Sequence, residues 1–212
     1  MLDFILKYHS ELLSVICVLL YASVGFKKST PKSILYITLY LCGYSVINII
    51  VSVYSAYGWN NHYLSHLYFI MQFVFLSLFY KSLFTKFQKK IVTITFIIIM
   101  IILLVQYIVY PNMLVQLNPL EVLITCSPLV TYSIIHLYNS LTAKAKYIYI
   151  NAGVLFYISI STLIFILFRY LNSSDLIFIR KPILTVNKLL IVCYLVLFII
   201  EYKKSIWKFK LK

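Results

Sequence analysis

The chain has 212 residues, of which 63% are hydrophobic and only 11% are charged. Soluble domains are about 45–50% apolar and about 25% charged, so this composition excludes a water-soluble globular protein and equally a disordered one. The formal net charge is +14, from 19 Lys and Arg against 5 Asp and Glu. In a soluble chain this excess would indicate nucleic-acid binding, but in a membrane chain it must first be compared with the topology.

Seven apolar segments are long enough to cross a bilayer, which needs roughly 20 apolar helical residues. The spans must be helices, because lipid cannot satisfy the open edge of a sheet. Interrupting Lys, Pro, Asn and Gly residues place them at about 10–26, 34–57, 63–84, 91–110, 119–141, 147–171 and 183–202. The sequence therefore predicts an all-α membrane protein, with a bundle of seven transmembrane helices in residues 1–202 and a basic amphipathic tail at 203–212.

The cations predict how this bundle is oriented. Fourteen lysines fall on one side of the seven-span arrangement, in the connections after spans one, three and five and in the tail. The connections Gly58–His62 and Pro111–Asn118, on the other side, contain no Lys or Arg. Because positive residues stay in the cytoplasm, we expect the N-terminus outside and the C-terminus in the cytoplasm of a bacterial cell, with the protein in the inner membrane.

The tail alternates lysines with large apolar side chains. This pattern favours contact with anionic lipids of the cytoplasmic leaflet. Each lysine near such a surface contributes about 1 kcal/mol of binding free energy. A protein partner is the alternative, a direct contact with nucleic acid is not expected, and a homo-oligomer is left open. The residues predicted to bind lipid or a partner are Lys203, Lys204, Trp207, Lys208 and Lys210.

Ionisable residues near the outer ends of the spans form one candidate site. A charge inside a span costs a few kcal/mol by insertion scales, so each such residue is a functional candidate. The candidate outer polar cluster consists of Glu11, His62, His66, Glu121 and Lys188. Glu121 also follows Asn118-Pro119, a helix start that capping alone explains. Lys188 would extend toward the outer surface or pair with Glu11 or Glu121.

Uncharged polar residues inside the spans form a second candidate site. Asn48, Gln72 and Asn151 lie at intermediate depth and could line one polar seam. Such residues most often form hydrogen bonds between helices. A water-filled seam would instead indicate a pore or a small-molecule transporter.

No catalytic constellation is present in the sequence. The patterns G-x-S-x-G, H-E-x-x-H and G-x-x-x-x-G-K are absent, and the four cysteines lie inside spans without the spacing of a metal site. We therefore predict no catalytic residue, metal or cofactor. An intramembrane enzyme that modifies lipids, centred on His66, Glu121 and Lys188, remains an alternative.

Two stretches carry a resemblance to known proteins: Asn60-Asn61-His62-Tyr63-Leu64-Ser65-His66-Leu67-Tyr68, and Tyr149-Ile150-Asn151-Ala152-Gly153. They resemble a family of small multi-span proteins of Bacteroidetes-type bacteria, in which a glutamate would stand near the position of Gln72. Size, span content and tail charge are also similar to the membrane accessory class of type VI-B CRISPR loci. The resemblance implies a non-enzymatic accessory protein that modulates an antiviral, RNA-targeting effector through a partner.

Overall fold

The computed structural model describes residues 2–142, 146–171 and 177–207, with the side chains of 9–142, 146–167 and 182–207. Within these ranges the chain forms seven α-helices and no strand, so the all-α prediction is confirmed. The helices are α1 (Leu2–Gly25), α2 (Lys32–Ala56), α3 (His62–Leu83), α4 (Lys86–Val109), α5 (Pro119–Thr142), α6 (Ile148–Leu171) and α7 (Ile177–Glu201). A 3₁₀ turn (Pro111–Val115) precedes α5, and a π-helical turn (Tyr202–Ile206) follows α7.

Six of the described helices, α2 to α7, are long and apolar enough to cross a membrane, as expected of a multi-pass membrane protein. The described apolar part of α1, His9–Gly25, is shorter. Helices α1 and α7 both begin several residues before the predicted spans. Helix α7 also continues through Pro182. Proline cannot donate the backbone hydrogen bond of a helix, but it is tolerated in membrane helices when neighbouring groups bond the carbonyl that is left without a donor.

Six helices form a closed ring in the order α1, α2, α3, α5, α6, α7, with α7 packing against α1. Helix α4 lies outside this ring against α3 and α5. Only 17% of its most apolar window is buried, and its many exposed isoleucines would face lipid. The ring therefore surrounds an interior that must be filled by side chains from facing helices.

A close contact between α1 and α2 depends on a glycine. A Cβ atom at Gly25 would lie 2.0 Å from Oγ1 of Thr38, which is closer than two atoms can approach. The Thr38 hydroxyl is itself fixed, because it donates to the carbonyl of Ile34 at 2.8 Å. Small residues at helix contacts let backbones approach closely in membranes, and Gly25 serves this purpose at the end of α1.

The two ends of the bundle differ in charge. One end, called here the lysine-rich end, carries exposed lysines from the α1–α2, α3–α4 and α5–α6 connections and from the segment after α7; the described members are Lys27, Lys28, Lys32, Lys86, Lys89, Lys90, Lys146, Lys203 and Lys204. The other, called the lysine-poor end, carries the α2–α3 and α4–α5 connections. This separation is the one predicted from the sequence.

A buried carboxylate joins the helices at the lysine-rich end. Glu201, at the end of α7, is 1% exposed and accepts a hydrogen bond at 2.9 Å from the backbone N–H of Tyr149. The first N–H groups of a helix have no partner within the helix and carry a partial positive charge. Glu201 satisfies one of them at the start of α6, which links α7 to α6 and keeps the carboxylate paired.

Candidate functional site

A cavity lies inside the ring, in the half of the bundle nearer the lysine-poor end. It has a volume of about 290 Å³ and is bounded by α2, α3, α6 and α7. We call it the central cavity; its described lining residues are Tyr44, Ile47, Asn48, Val51, Asn61, His62, Leu64, Ser65, Tyr68, Phe69, Leu117, Tyr157, Phe165, Asn187 and Ile191. Its mouth is formed by Asn61, His62 and Ser65 at the start of α3.

Three polar groups in the lining have no hydrogen-bond partner in the protein. They are the hydroxyl of Tyr44, the amide nitrogen of Asn48 and the amide oxygen of Asn187. Tyr44 is only 4% exposed. A buried polar group without a partner costs about 1–3 kcal/mol, so three of them around one cavity indicate that something else supplies the missing bonds.

Apart from Asn61, His62 and Ser65 at the start of α3, the rest of the described lining is apolar or aromatic, and it includes no Asp, Glu, Lys or Arg. Small-molecule sites typically combine an apolar wall with a few well-placed polar groups. The central cavity has this composition. Its volume is near the lower limit of such sites, which is about 300 Å³.

Tyrosine hydroxyls and one glutamine form the floor of the cavity. The amide nitrogen of Gln72 donates to the hydroxyl of Tyr68 at 2.9 Å, and the Tyr68 and Tyr157 hydroxyls lie 3.3 Å apart. Gln72 also reaches the hydroxyl of Tyr40 at 3.5 Å, to which Tyr194 donates at 3.1 Å. This tyrosine network connects α2, α3, α6 and α7 across the interior of the ring.

Below this floor, toward the lysine-rich end, the interior is filled. The side-chain oxygen of Asn151 accepts hydrogen bonds from Tyr80 at 2.8 Å and from Ser133 at 2.9 Å. Tyr80 and Asn151 are at most 1% exposed, and Phe79 is fully buried beside them. No residue of this filled layer lines the central cavity.

The predicted polar seam is divided between these layers. Asn48 lines the cavity, Gln72 belongs to the tyrosine network, and Asn151 lies in the filled layer. The three residues are thus at three different depths rather than along one continuous wet surface. Gln72 and Asn151 make the interhelical hydrogen bonds that the sequence favoured for such residues.

The predicted outer polar cluster separates into two groups and one single residue. His66 and Glu121 are in direct contact between α3 and α5. Glu11 and Lys188 lie on the other side of the bundle, near enough for their charges to interact. His62 is exposed at the mouth of the central cavity and belongs to neither pair.

The His66–Glu121 pair is buried, with exposures of 4% and 0%. Nδ1 of His66 contacts the Glu121 carboxylate, and the hydroxyl of Tyr107 from α4 lies 2.9 Å from the same nitrogen. The predicted helix cap is also present, since the Asn118 side chain accepts from the Glu121 backbone N–H at 3.3 Å. The pair joins α3, α4 and α5 at the lysine-poor end, and neither residue lines the central cavity.

The start of the predicted tail is held against α6. The amine of Lys204 donates to the Tyr149 hydroxyl and lies 4.6 Å from the centre of its ring. Lys203 and Trp207 are exposed. Lys208 and Lys210 lie outside the described residues.

Sequence reasoning missed two features that organise the interior. The first is the tyrosine network, because its members were counted as apolar; their abundance, 20 residues in 212, and the spacing of four between Tyr40 and Tyr44 were the available signal. The second is Glu201, which lies in the last predicted span and was not among the candidate residues. Its position as a lone acidic residue before a run of lysines was the signal for a capping role.

Among the described residues, no group of three or more His, Cys, Asp and Glu side chains is placed to hold a metal ion. No family model matches the sequence, no curated protein matches it, and no solved structure matches the fold. The resemblance to a Bacteroidetes-type family and to the type VI-B accessory class therefore remains a prediction.

We predict that the His66–Glu121 pair stabilises the bundle as a coupled unit. Replacing one partner, as in Glu121→Leu or His66→Leu, removes the buried contact between them; in the first variant only the Tyr107 hydroxyl still bonds Nδ1 of His66. Each change should lower the free energy of unfolding by about 1–3 kcal/mol. The double variant should lose much less than the sum of the two. Unfolding in mixed detergent and SDS micelles measures these values, and Leu120→Ala on the exposed face of α5 serves as a control that should change stability by about 0.5 kcal/mol or less. Additive losses in the double variant would contradict the coupling.

Proposed function

We propose that the protein is a multi-pass membrane protein that binds a small, uncharged, mostly apolar molecule in the central cavity. The observation that supports this best is the set of three unpartnered polar groups, on Tyr44, Asn48 and Asn187. They offer both donors and an acceptor inside an otherwise apolar lining. A ligand with one or two hydrogen-bonding groups on a compact apolar body would satisfy them.

An uncharged ligand is favoured by the electrostatics of the lining. Moving a charge from water into such a site is costly unless an opposite charge receives it. The described lining contains no Asp, Glu, Lys or Arg, and its one histidine, His62, is exposed. The ligand would reach the site past His62 and Ser65 and rest on the hydroxyls of Tyr68 and Tyr157.

The filled layer around Asn151 bears on the alternatives. A continuous pore would need a path through the layer that Tyr80, Ser133 and Asn151 fill, so this arrangement supports a receptor, or a carrier open at one end, rather than a channel. A lipid-modifying enzyme would need its His66 and Glu121 to face a substrate, and neither lines the cavity. An accessory role through a partner, including control of an antiviral effector, stays a prediction from the sequence.

We predict that filling the cavity abolishes ligand binding. Ser65→Trp places an indole in the mouth of the cavity, whereas Leu67→Trp, two residues further on, places it at a side chain that is 55% exposed and outside the lining. Thermal unfolding of the purified protein is measured with a panel of uncharged probes: indole, p-cresol, 1-hexanol and 1-octanol. A ligand at about 100 times its Kd stabilises the folded state by about 2.7 kcal/mol.

At least one probe should raise the Tm of the wild type and of Leu67→Trp but not that of Ser65→Trp. The Leu67→Trp variant corrects for partition of the probes into detergent. If no probe stabilises the wild type more than Ser65→Trp, the cavity does not bind this class of molecule.

We further propose seven spans, with the N-terminus outside and the C-terminus in the cytoplasm of a bacterial inner membrane. The support is the lysine-rich end and the 24-residue length of α1 (Leu2–Gly25), although its described apolar part, His9–Gly25, is shorter than the six candidate spans. In a variant whose four native cysteines are replaced by serine, single cysteines at Asp3→Cys and Lys28→Cys bracket α1. A membrane-impermeant maleimide should label the first in intact cells and the second only after lysis. Equal labelling of both would mean that α1 does not cross.

A further inference from the structure

A second depression lies on the lipid-facing surface, between α1 and α2 at the lysine-poor end. It has a volume of about 620 Å³. We call it the α1–α2 groove; its lining residues are Glu11, Leu12, Val15, Ile16, Ile49, Ser52, Val53, Ala56 and Tyr57. Leu12, Val15 and Ile16 are all more than one-third exposed, so the groove opens sideways from the bundle. In a membrane, its apolar length would be in contact with acyl chains.

The groove contains one carboxylate among apolar side chains. Glu11 accepts hydrogen bonds from the hydroxyls of Ser10 and Ser52, the first at 2.8 Å. These bonds favour its ionised form over the neutral one. Both described hydrogen bonds to this carboxylate come from hydroxyl groups.

A cation is nevertheless close. The Lys188 amine, on α7, interacts electrostatically with Glu11 from a greater distance, and its side chain is exposed. The end of the groove thus presents a carboxylate and, beyond it, an amine. Ethanolamine headgroups carry the complementary charges, a primary ammonium and a phosphate.

We propose that the α1–α2 groove binds one molecule of phosphatidylethanolamine, with the ammonium on Glu11, the phosphate toward Lys188 and an acyl chain along the groove. A primary ammonium can donate hydrogen bonds to the carboxylate oxygens. The quaternary ammonium of phosphatidylcholine has no N–H to donate. Phosphatidylglycerol has no cation, and its phosphate would meet the negative charge of Glu11.

The position of the apolar residues supports the same occupant. Val15 and Ile16 follow Glu11 by one helical turn or more, and Ile49 precedes Ser52 by almost one turn on α2. The groove therefore continues from the carboxylate toward the middle of the bundle, the direction in which an acyl chain lies below its headgroup. This site is separate from the central cavity, so the two proposals can fail independently.

Competition between lipids tests the proposal. The purified full chain is exchanged into nanodiscs that contain equal amounts of phosphatidylethanolamine, phosphatidylcholine and phosphatidylglycerol with matched acyl chains. The protein is then released from the nanodisc in the mass spectrometer, and native mass spectrometry counts the lipids of each kind that stay bound to it. The wild type should retain phosphatidylethanolamine over phosphatidylcholine. Glu11→Gln should reduce this preference by about tenfold, as expected for loss of a charge-assisted hydrogen bond.

Two further comparisons distinguish the contribution of the apolar groove to lipid binding from that of the charged side chains. Ile16→Trp fills the groove and should remove the bound lipid, whereas Leu19→Trp, on the same helix with 67% exposure and outside the lining, should not. Lys188→Met should weaken retention of phosphatidylethanolamine and phosphatidylcholine alike, because both carry the phosphate. Equal retention of the lipids by the wild type, a preference for phosphatidylglycerol, or a preference that survives both Glu11→Gln and Ile16→Trp would overturn the proposal. If Glu11→Gln fails to fold, the two tryptophan variants decide.

Discussion

Hydrogen bonds among the buried tyrosines hold the facing helices of the ring together. Tyr40 on α2 accepts from Tyr194 on α7, and Gln72 on α3 contacts both Tyr40 and Tyr68. Lipid offers these groups no partner, so each must find one inside the protein. A six-helix ring leaves an interior that aliphatic side chains from one helix do not cross, whereas a tyrosine reaches across it and ends in a group that needs a bond. The same side chains therefore fill the interior and fix which helices face one another.

The central cavity is one part of the interior where this rule is not met. Toward the lysine-rich end, Tyr80, Ser133 and Asn151 satisfy one another, and Glu201 satisfies the start of α6. On the other side of the tyrosine network, Tyr44 and Asn48 remain without partners beside open space. Toward the lysine-rich end, the hydroxyls of Ser77 and Tyr132 and Nδ1 of His136 also have no partner, but they do not line the cavity. A ligand that bonds Tyr44 and Asn48 would gain affinity from them. The open space beside these unpartnered groups is the physical basis of the proposed binding function.

The sequence was sufficient for the class of protein and for the separation of charge, because both depend on local composition. It was not sufficient for the sites, because the order of the helices along the chain does not determine which of them pack against each other. His66 and Glu121 meet since α3 packs against α5, while Glu11 and Lys188 are placed elsewhere by the contact of α1 with α7. Asn48, Gln72 and Asn151 lie in different layers for a related reason: an intermediate position in each predicted span does not make residues of different helices line the same surface. Tyrosine was the hardest residue to interpret, since it counts as apolar in hydropathy and acts as polar in a dry interior.

The most direct test of this account is an experimental structure of the protein in lipid nanodiscs, determined by cryo-electron microscopy with a rigid binding domain for alignment. The account predicts density that does not belong to the chain inside the central cavity, within hydrogen-bonding distance of the Tyr44 hydroxyl and the Asn48 amide. It also predicts that the layer around Asn151 is closed. A cavity closed by rearranged helices, with Tyr44, Asn48 and Asn187 all bonded to other protein groups, would contradict it.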